Sequence, residues 1–200
     1  MNADKHGLKS GVRQKIRAVL ERISPAARTA ASQALSERLK VQMPGARAIL
    51  FFAPLPAEID LWPLLEEILA AGKTVALPRF DSASQSYVAC RVRNLKNDIV
   101  AGQFGIREPV PACAEIPLGE VDLILVPGVA FDLSGHRLGR GKGFYDRLLS
   151  KARGIKCGIA FDEQIVEEVP KDSHDVRMDF IFTPTRCVKV KNGLTDAADP

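Results

Sequence analysis

Aromatic residues are scarce in this chain. They make up 6% of 200 residues, with one Trp and two Tyr. Proteins that hold single-stranded nucleic acid stack its bases on such rings, so the scarcity argues against that class. No helix-turn-helix, zinc-finger or aromatic RNA-binding pattern is present. Long apolar runs are missing as well. Leu123 to Phe131 is the best candidate, but Pro127 and Gly128 interrupt it, and it falls short of the roughly 20 residues that cross a bilayer. The opening MNADKHGLKS has no apolar core, so it does not read as a secretory signal. Cysteine is sparse too. Cys90, Cys113, Cys157 and Cys187 are separated by 23, 44 and 30 residues, which fits no zinc or redox motif. A disulfide framework is not expected without an export signal. The expectation is a monomeric cytoplasmic protein that binds neither nucleic acid nor membrane.

What is present is an ordinary globular composition, 46% hydrophobic and 26% charged, suited to one compact domain. Positive charge is unevenly distributed. Residues 1–28 carry net +5 and residues 135–151 carry net +4, although the whole chain is only +4. Two basic segments so far apart in sequence either meet around a polyanion or form two solvated faces.

The elements follow from periodicity. Val12, Ile16, Val19, Leu20 and Ile23 recur at helical spacing. Ser24-Pro25 then reads as an N-cap and a first-turn proline of a second helix running to about Lys40, with Leu35 and Leu39 inward. The continuous apolar run Ala48 to Ala53 suits a buried parallel strand. Leu61, Leu64, Leu65, Ile68 and Leu69 make a helix that Gly72 stops. Thr74 to Leu77 is the next strand, closed by Pro78, so the three form a βαβ unit. Strands are also expected at Tyr87 to Val92, Leu123 to Val126, Lys156 to Phe161, Phe180 to Thr183 and Cys187 to Val190. A helix is expected from Gly143 to Arg153. The fold class is α/β: one three-layer domain over 1–190 with a mainly parallel, Rossmann-like sheet, and a polar, disordered tail at 191–200. A glycine-rich phosphate loop lies between a strand and a helix.

That loop carries the chemistry. Gly139, Gly141 and Gly143 alternate with Arg140 and Lys142, and Arg137 stands just before them. Glycines let backbone N–H groups approach an anion, and a helix N-terminus adds partial positive charge. The geometry and the sign of charge both ask for phosphate. The segment is not a Walker A motif, because His136 and Gly143 occupy its first-glycine and Ser/Thr positions. Nor does it have the glycine spacing of a dinucleotide fingerprint.

The wider segment, P-G-V-A-F-D-L-S-G-H-R-L-G-R-G-K-G-F-Y-D-R from Pro127 to Arg147, resembles the signature of the 5-formyltetrahydrofolate cyclo-ligase family, also called methenyltetrahydrofolate synthetases. The resemblance extends from Lys9 to about Thr183. Weaker patches are Lys9-x-x-x-Arg13, Ala53 to Ile59, Gly72-Lys73 to Pro78-Arg79, Phe104 to Pro109 and His174-Asp175-x-x-x-Asp179. Phe144 stands where the family often has a second tyrosine.

The resemblance implies ATP-dependent cyclisation of 5-formyltetrahydrofolate to 5,10-methenyltetrahydrofolate, with Mg²⁺. It implies nucleotide contacts at Lys9, Arg13, Arg137, Leu138, Gly139, Arg140, Gly141, Lys142, Gly143, Phe144 and Tyr145. Folate contacts are implied at Ala53, Glu58 and Arg140 to Gly143. Catalytic roles fall to Lys142, Arg140 and Tyr145, and metal ligation to Asp146 and Asp179. Considered only as a charge in a helix's first turn, Asp146 is worth about 0.3–1 kcal/mol to the fold. Trp62, Phe51 and Phe52 are expected in the core. His6, His136 and His174 show no triad or metal spacing. Competing readings are a sugar-phosphate isomerase or acyl-CoA transferase, a ligand-binding module without turnover, and a nucleic-acid binder using the two basic segments.

Overall fold

A computed structural model of the protein describes residues 2–102, 105–172 and 175–191, with side chains from residue 7 onward. Thus Phe104, His174, the His6 side chain and nearly all of the tail lie outside the described residues. Helix α1 (Asn2–Leu20) leads into α2 (Pro25–Gln42). The Ser24 hydroxyl caps α2 by accepting from the Ala27 N–H at 3.2 Å. Strand β1 (Ala48–Leu50), α3 (Trp62–Ala70) and β2 (Thr74–Asp81) make the expected βαβ unit.

β2 does not stop at Pro78. It continues to Asp81, paired antiparallel with β3 (Ser86–Val92). The Ala76 carbonyl points towards β1, where it accepts from Phe51. Pro78, two residues on, faces the same way but beyond the last β1 pairing at Leu50. Its missing N–H therefore costs the sheet no bond. A short hairpin, β4 (Ile99–Ala101) with β5 (Arg107–Pro109), packs beside β2 and β3.

β6 (Leu123–Pro127) returns to the sheet next to β1. A two-residue-per-strand hairpin follows, β7 (Ala130–Phe131) with β8 (Arg137–Leu138). After the glycine loop comes α4 (Phe144–Leu149), shorter than expected. Its end tightens because the Lys151 and Ala152 N–H groups donate to carbonyls three residues back, Leu148 and Leu149. β9 (Ile155–Ile159), β10 (Phe180–Phe182) and the antiparallel β11 (Cys187–Lys189) complete the sheet.

The sheet has seven strands in the order β11-β10-β9-β6-β1-β2-β3, parallel except at its two edges. Side chains alternate across it with period two. Ile49, Val75, Leu77, Leu123 and Leu125 face the cluster formed with α2 and α3. Leu50, Ala76, Ile124 and Val126 face a second cluster with Leu148 and Leu149 of α4. Two buried faces explain why these strands read as unbroken apolar runs. From β1 the chain builds towards β3; from β6 it builds the other way, towards β11. Strand order therefore reverses between β1 and β6. A crevice opens at the carboxyl ends of strands where order reverses. No helix among the described residues is long and apolar enough to cross a membrane.

Candidate active site

The crevice is a cavity of about 570 Å³, within the range that takes a small-molecule ligand. Ala53 enters it from the segment after β1, Pro127 and Gly128 from the end of β6, and the glycine loop from the far side. α1 brings Lys9 and Arg13 to the same wall. The two basic segments of the sequence thus meet at one cavity.

The loop is shaped and held. Gly141 has φ +100° and Gly143 φ +65°, a region that L side chains avoid. Arg13 Nε donates to the Gly139 carbonyl at 2.9 Å, across 126 residues of sequence. At the other end Arg147 Nη2 reaches the Lys142 carbonyl at 3.5 Å and the Gln85 carbonyl at 3.1 Å. Gly143 stands at the N-cap position of α4. Lys142 Nζ lies 5.9 Å from the centre of the Phe144 ring.

Three cations that line the cavity are matched by carboxylates. Lys9 Nζ is 2.7 Å from Asp172 and 3.4 Å from Asp175. Burial alone would lower the Lys9 pKa, but the hydrogen bond to Asp172 and the charges of Asp175 and Asp172 outweigh it and raise it. Arg137 Nη2 is 2.6 Å from Asp146. Arg140 Nη2 is 2.9 Å from Glu58 Oε1. The other oxygen of Glu58 accepts from the Leu55 N–H at 2.9 Å, while the Glu58 N–H donates to the Leu55 carbonyl. That reciprocal turn fixes the carboxylate at the cavity.

An aromatic wall closes one side. Phe144 meets Phe80 and Tyr87 edge-on, with ring centres 5.2 and 5.4 Å away, and Tyr87 lies 6.0 Å from Tyr145. Arg137 stacks 5.7 Å from the Tyr145 ring centre. Burial, followed by the nearby Glu58 carboxylate, pushes the Tyr145 phenol well above its usual pKa. Leu138 is buried in the wall behind.

The two expected metal ligands are not together. Asp146 lines the cavity. Asp179 precedes β10, where its carboxylate accepts from the Lys156 N–H at 2.8 Å near the start of β9. Lys156 is level with Ile124, three residues before Pro127. That is about 10 Å along the strand, towards the amino-terminal edge of the sheet. Asp179 thus anchors a strand end and, unlike Asp146, does not line the cavity. Among the described residues no group of three or more His, Cys, Asp or Glu could hold a metal ion. Magnesium needs only one or two carboxylates beside phosphates and water, and Asp146 fits that donor set.

Every loop residue, Lys9, Arg13, Ala53 and Glu58 line this cavity. So do Asp172 and Tyr87, to which the sequence patterns assign no site role, and Asp175, which they mark only as part of a motif. Phe52, expected only in the core, is buried and yet forms part of the cavity wall, whereas Phe51 and Trp62 are core as expected. His136 pairs with Asp132 at 3.1 Å in the turn between β7 and β8. Asp132 also accepts from the N–H groups of Ser134, His136 and Val169. The Phe131-Asp132 part of the signature is thus a structural knot.

Known proteins are similar to this chain along most of its length. The model of the 5-formyltetrahydrofolate cyclo-ligase family matches residues 5–184. The chain is 36% identical over 187 residues to the 5-formyltetrahydrofolate cyclo-ligase of Mycolicibacterium smegmatis, covering 91% of this chain and 94% of that one. It is 33% identical over 145 residues to the Escherichia coli K12 protein of that name, covering 70% and 80%. The solved Aquifex aeolicus 5,10-methenyltetrahydrofolate synthetase superposes with a TM-score of 0.83 at 34% identity, covering 93% of this chain and 94% of that one. The chain belongs to the 5-formyltetrahydrofolate cyclo-ligase family.

Proposed function

We propose that the crevice between β1 and β6 is where this chain closes the ring of 5-formyltetrahydrofolate. As a member of its family the chain is a ligase of folate one-carbon metabolism, and it uses ATP to convert 5-formyltetrahydrofolate to 5,10-methenyltetrahydrofolate. The observation that supports the placement is convergence. Two remote basic segments, a glycine loop at positive φ and the fixed Glu58 carboxylate share one cavity.

The chemistry asks for such a site. A formamide oxygen is a poor leaving group. Transfer of the γ-phosphoryl group to it, with ADP departing, turns it into phosphate. N10 then attacks the formyl carbon, its proton is lost, and phosphate leaves as the ring closes. Such transfers need positioning and charge neutralisation more than covalent catalysis. Lys9, Arg13, Arg137 and Lys142, with the backbone of Gly139 to Gly143, hold the triphosphate. Leu138 and Phe144 wall the nucleotide side. Lys142, Arg140 and Tyr145 stand at the reacting groups. Glu58 accepts from the N–H donors of the pterin, with Ala53 behind it. Asp146 would hold magnesium, which when bound neutralises charge on the triphosphate.

The test is incubation with 5-formyltetrahydrofolate, ATP and Mg²⁺ while methenyl absorbance is followed. ADP and methenyl product should appear in equal amounts, and omission of ATP should abolish both. A folded protein that binds an ATP analogue and forms no methenyl product would overturn the reading. An isomerase or acyl-CoA transferase needs no ATP, so ATP dependence separates those alternatives.

A further inference from the structure

We infer that Arg140 couples the two substrates: Glu58 holds it in the free enzyme, and the arriving pterin releases it to the nucleotide. The inference rests on the placement of folate at Glu58 proposed above.

Three observations carry it. First, the pair joins the two halves of the cavity, with Arg140 Nη2 2.9 Å from Glu58 Oε1 across 82 residues of sequence. Second, the partners differ in freedom. The Glu58 side chain is 14% exposed and tied to Leu55, whereas that of Arg140 is 55% exposed. Arg140 is the partner that moves. Third, Arg140 sits between Gly139 and Gly141, on the loop whose carbonyl Arg13 already grips. A released guanidinium stays at the loop that faces phosphate.

The exchange is chemically matched. The Glu58 carboxylate takes one N–H donor of the Arg140 guanidinium on Oε1, its Oε2 being held by the Leu55 N–H. The 2-amino-4-oxopteridine edge of a folate also presents N–H donors, from its amine and its neighbouring ring N–H. Guanidinium and pterin compete for Glu58 Oε1. Once displaced, Arg140 adds positive charge on the nucleotide side only when folate is in place. Folate binding then strengthens nucleotide binding, and linkage makes the effect reciprocal. Glu58 and Arg140 are thereby assigned as a coupling pair.

The experiment titrates the protein with Mg²⁺ and the β,γ-imido analogue of ATP, which cannot be turned over, with and without saturating 5-formyltetrahydrofolate. Far-UV circular dichroism checks that each variant is folded. In the unaltered protein folate should raise analogue affinity about five-fold, at the low end of typical couplings and in line with a part-exposed ion pair. R140Q should bind the analogue equally with and without folate. E58Q keeps an oxygen for the Leu55 N–H but loses the charge that holds Arg140. Without any folate it should already show the raised affinity. If R140Q retains the folate-dependent rise, or E58Q without folate matches the unaltered protein, the coupling is wrong. A direct folate titration of the unaltered protein separates the two failures. No folate binding there removes the proposed site and the coupling with it; folate binding without the variant pattern removes the coupling alone.

Discussion

Arg137 Nη2 and Asp146 Oδ1 are 2.6 Å apart, one just before the glycine loop and the other just after it. The pair closes the base of the loop. It also changes what Asp146 is worth. The Arg137 side chain is only 4% exposed, and that of Asp146 is 25% exposed. Removing the carboxylate charge leaves a buried guanidinium without its counter-charge.

Asp146→Asn should therefore cost more than the small effect expected of a helix-start charge. Breaking a fully buried pair costs about 3–5 kcal/mol. Partial exposure and the amide oxygen that remains reduce this to about 2 kcal/mol. Urea unfolding measures it. Turnover at limiting Mg²⁺ should fall more than ten-fold and recover in part at high Mg²⁺. A shift in stability below about 0.5 kcal/mol, the range of ordinary surface changes, would show that the pair does not anchor the loop. Normal turnover at limiting Mg²⁺ would remove Asp146 from the metal role.

Much of this architecture is legible in the residues themselves. The first three residues of AILFFA, and all of TVAL and LILV, read as doubly buried strands because each lies in the middle of a sheet with both faces covered. Ser24-Pro25 caps a helix by local chemistry alone. The loop declares itself because glycines alternate with cations. What stays hidden depends on distant pairing. Nothing local marks Asp172 as the partner of Lys9, 163 residues away. Asp179 belongs to a matching motif, but which edge of the sheet it reaches is set by the register of β10 on β9. Pro78 reads as a strand end, yet β2 runs through it because the neighbour on that side, β1, stops at Leu50.

Lys9 ties α1 to the segment after β9. Its pKa is raised in the folded state, because the Asp172 and Asp175 interactions outweigh burial. A raised pKa means that the stabilisation is complete below the unfolded lysine value near 10.4 and fades as pH rises through the folded value. Lys9→Met should lower stability by about 1 kcal/mol at pH 7, since the pair is only part-buried. The difference between the two proteins should shrink as the pH is taken above about 10.5. Paired urea curves at pH 7 and at high pH check this. A difference that grows with pH would contradict the sign. ATP-analogue affinity should also fall in this variant if the proposed nucleotide contacts hold, because a cation is lost from the cavity wall.

Tyr145 stays a neutral phenol through the working pH range. Burial raises its pKa first, and the Glu58 carboxylate raises it further. The Tyr87 phenol is also raised, by burial and then by the charge of Glu108. Because these are the chain's two tyrosines, absorbance at the phenolate band isolates them. In the native protein the band should be weaker at pH 10 than in urea, where half of it should appear near there. Native stability should fall as pH passes the unfolded value, since the unfolded phenols ionise first. In E58Q the Tyr145 ionisation should move down. Half-ionisation of both tyrosines near pH 10 in the native state would show that the aromatic wall is wet.

Gly141 and Gly143 separate two kinds of backbone demand within one loop. Gly143, at φ +65° and ψ 12°, lies close to the left-handed helical region, which asparagine tolerates better than other residues with a Cβ. Gly141, at φ +100°, lies outside that well. Space is not the obstacle at Gly141, where an added Cβ would find its nearest neighbour, Arg13 Nη2, at an ordinary 3.5 Å. Backbone strain is. Gly143→Ala should cost about 1–2 kcal/mol, and Gly143→Asn should recover a large part of it. Gly141→Ala should cost about 1–3 kcal/mol, and Gly141→Asn should recover little. The loop can relieve either strain by shifting, and it would then carry Arg140 and Lys142 out of place. Turnover should therefore fall by ten-fold or more in Gly141→Ala, beyond what its loss of stability explains at a temperature where it remains folded. Urea unfolding and steady-state kinetics on the four variants supply both readouts. If asparagine rescues Gly141 as well as it rescues Gly143, the loop does not need the backbone angle found at Gly141, and its shape is not what positions the two cations.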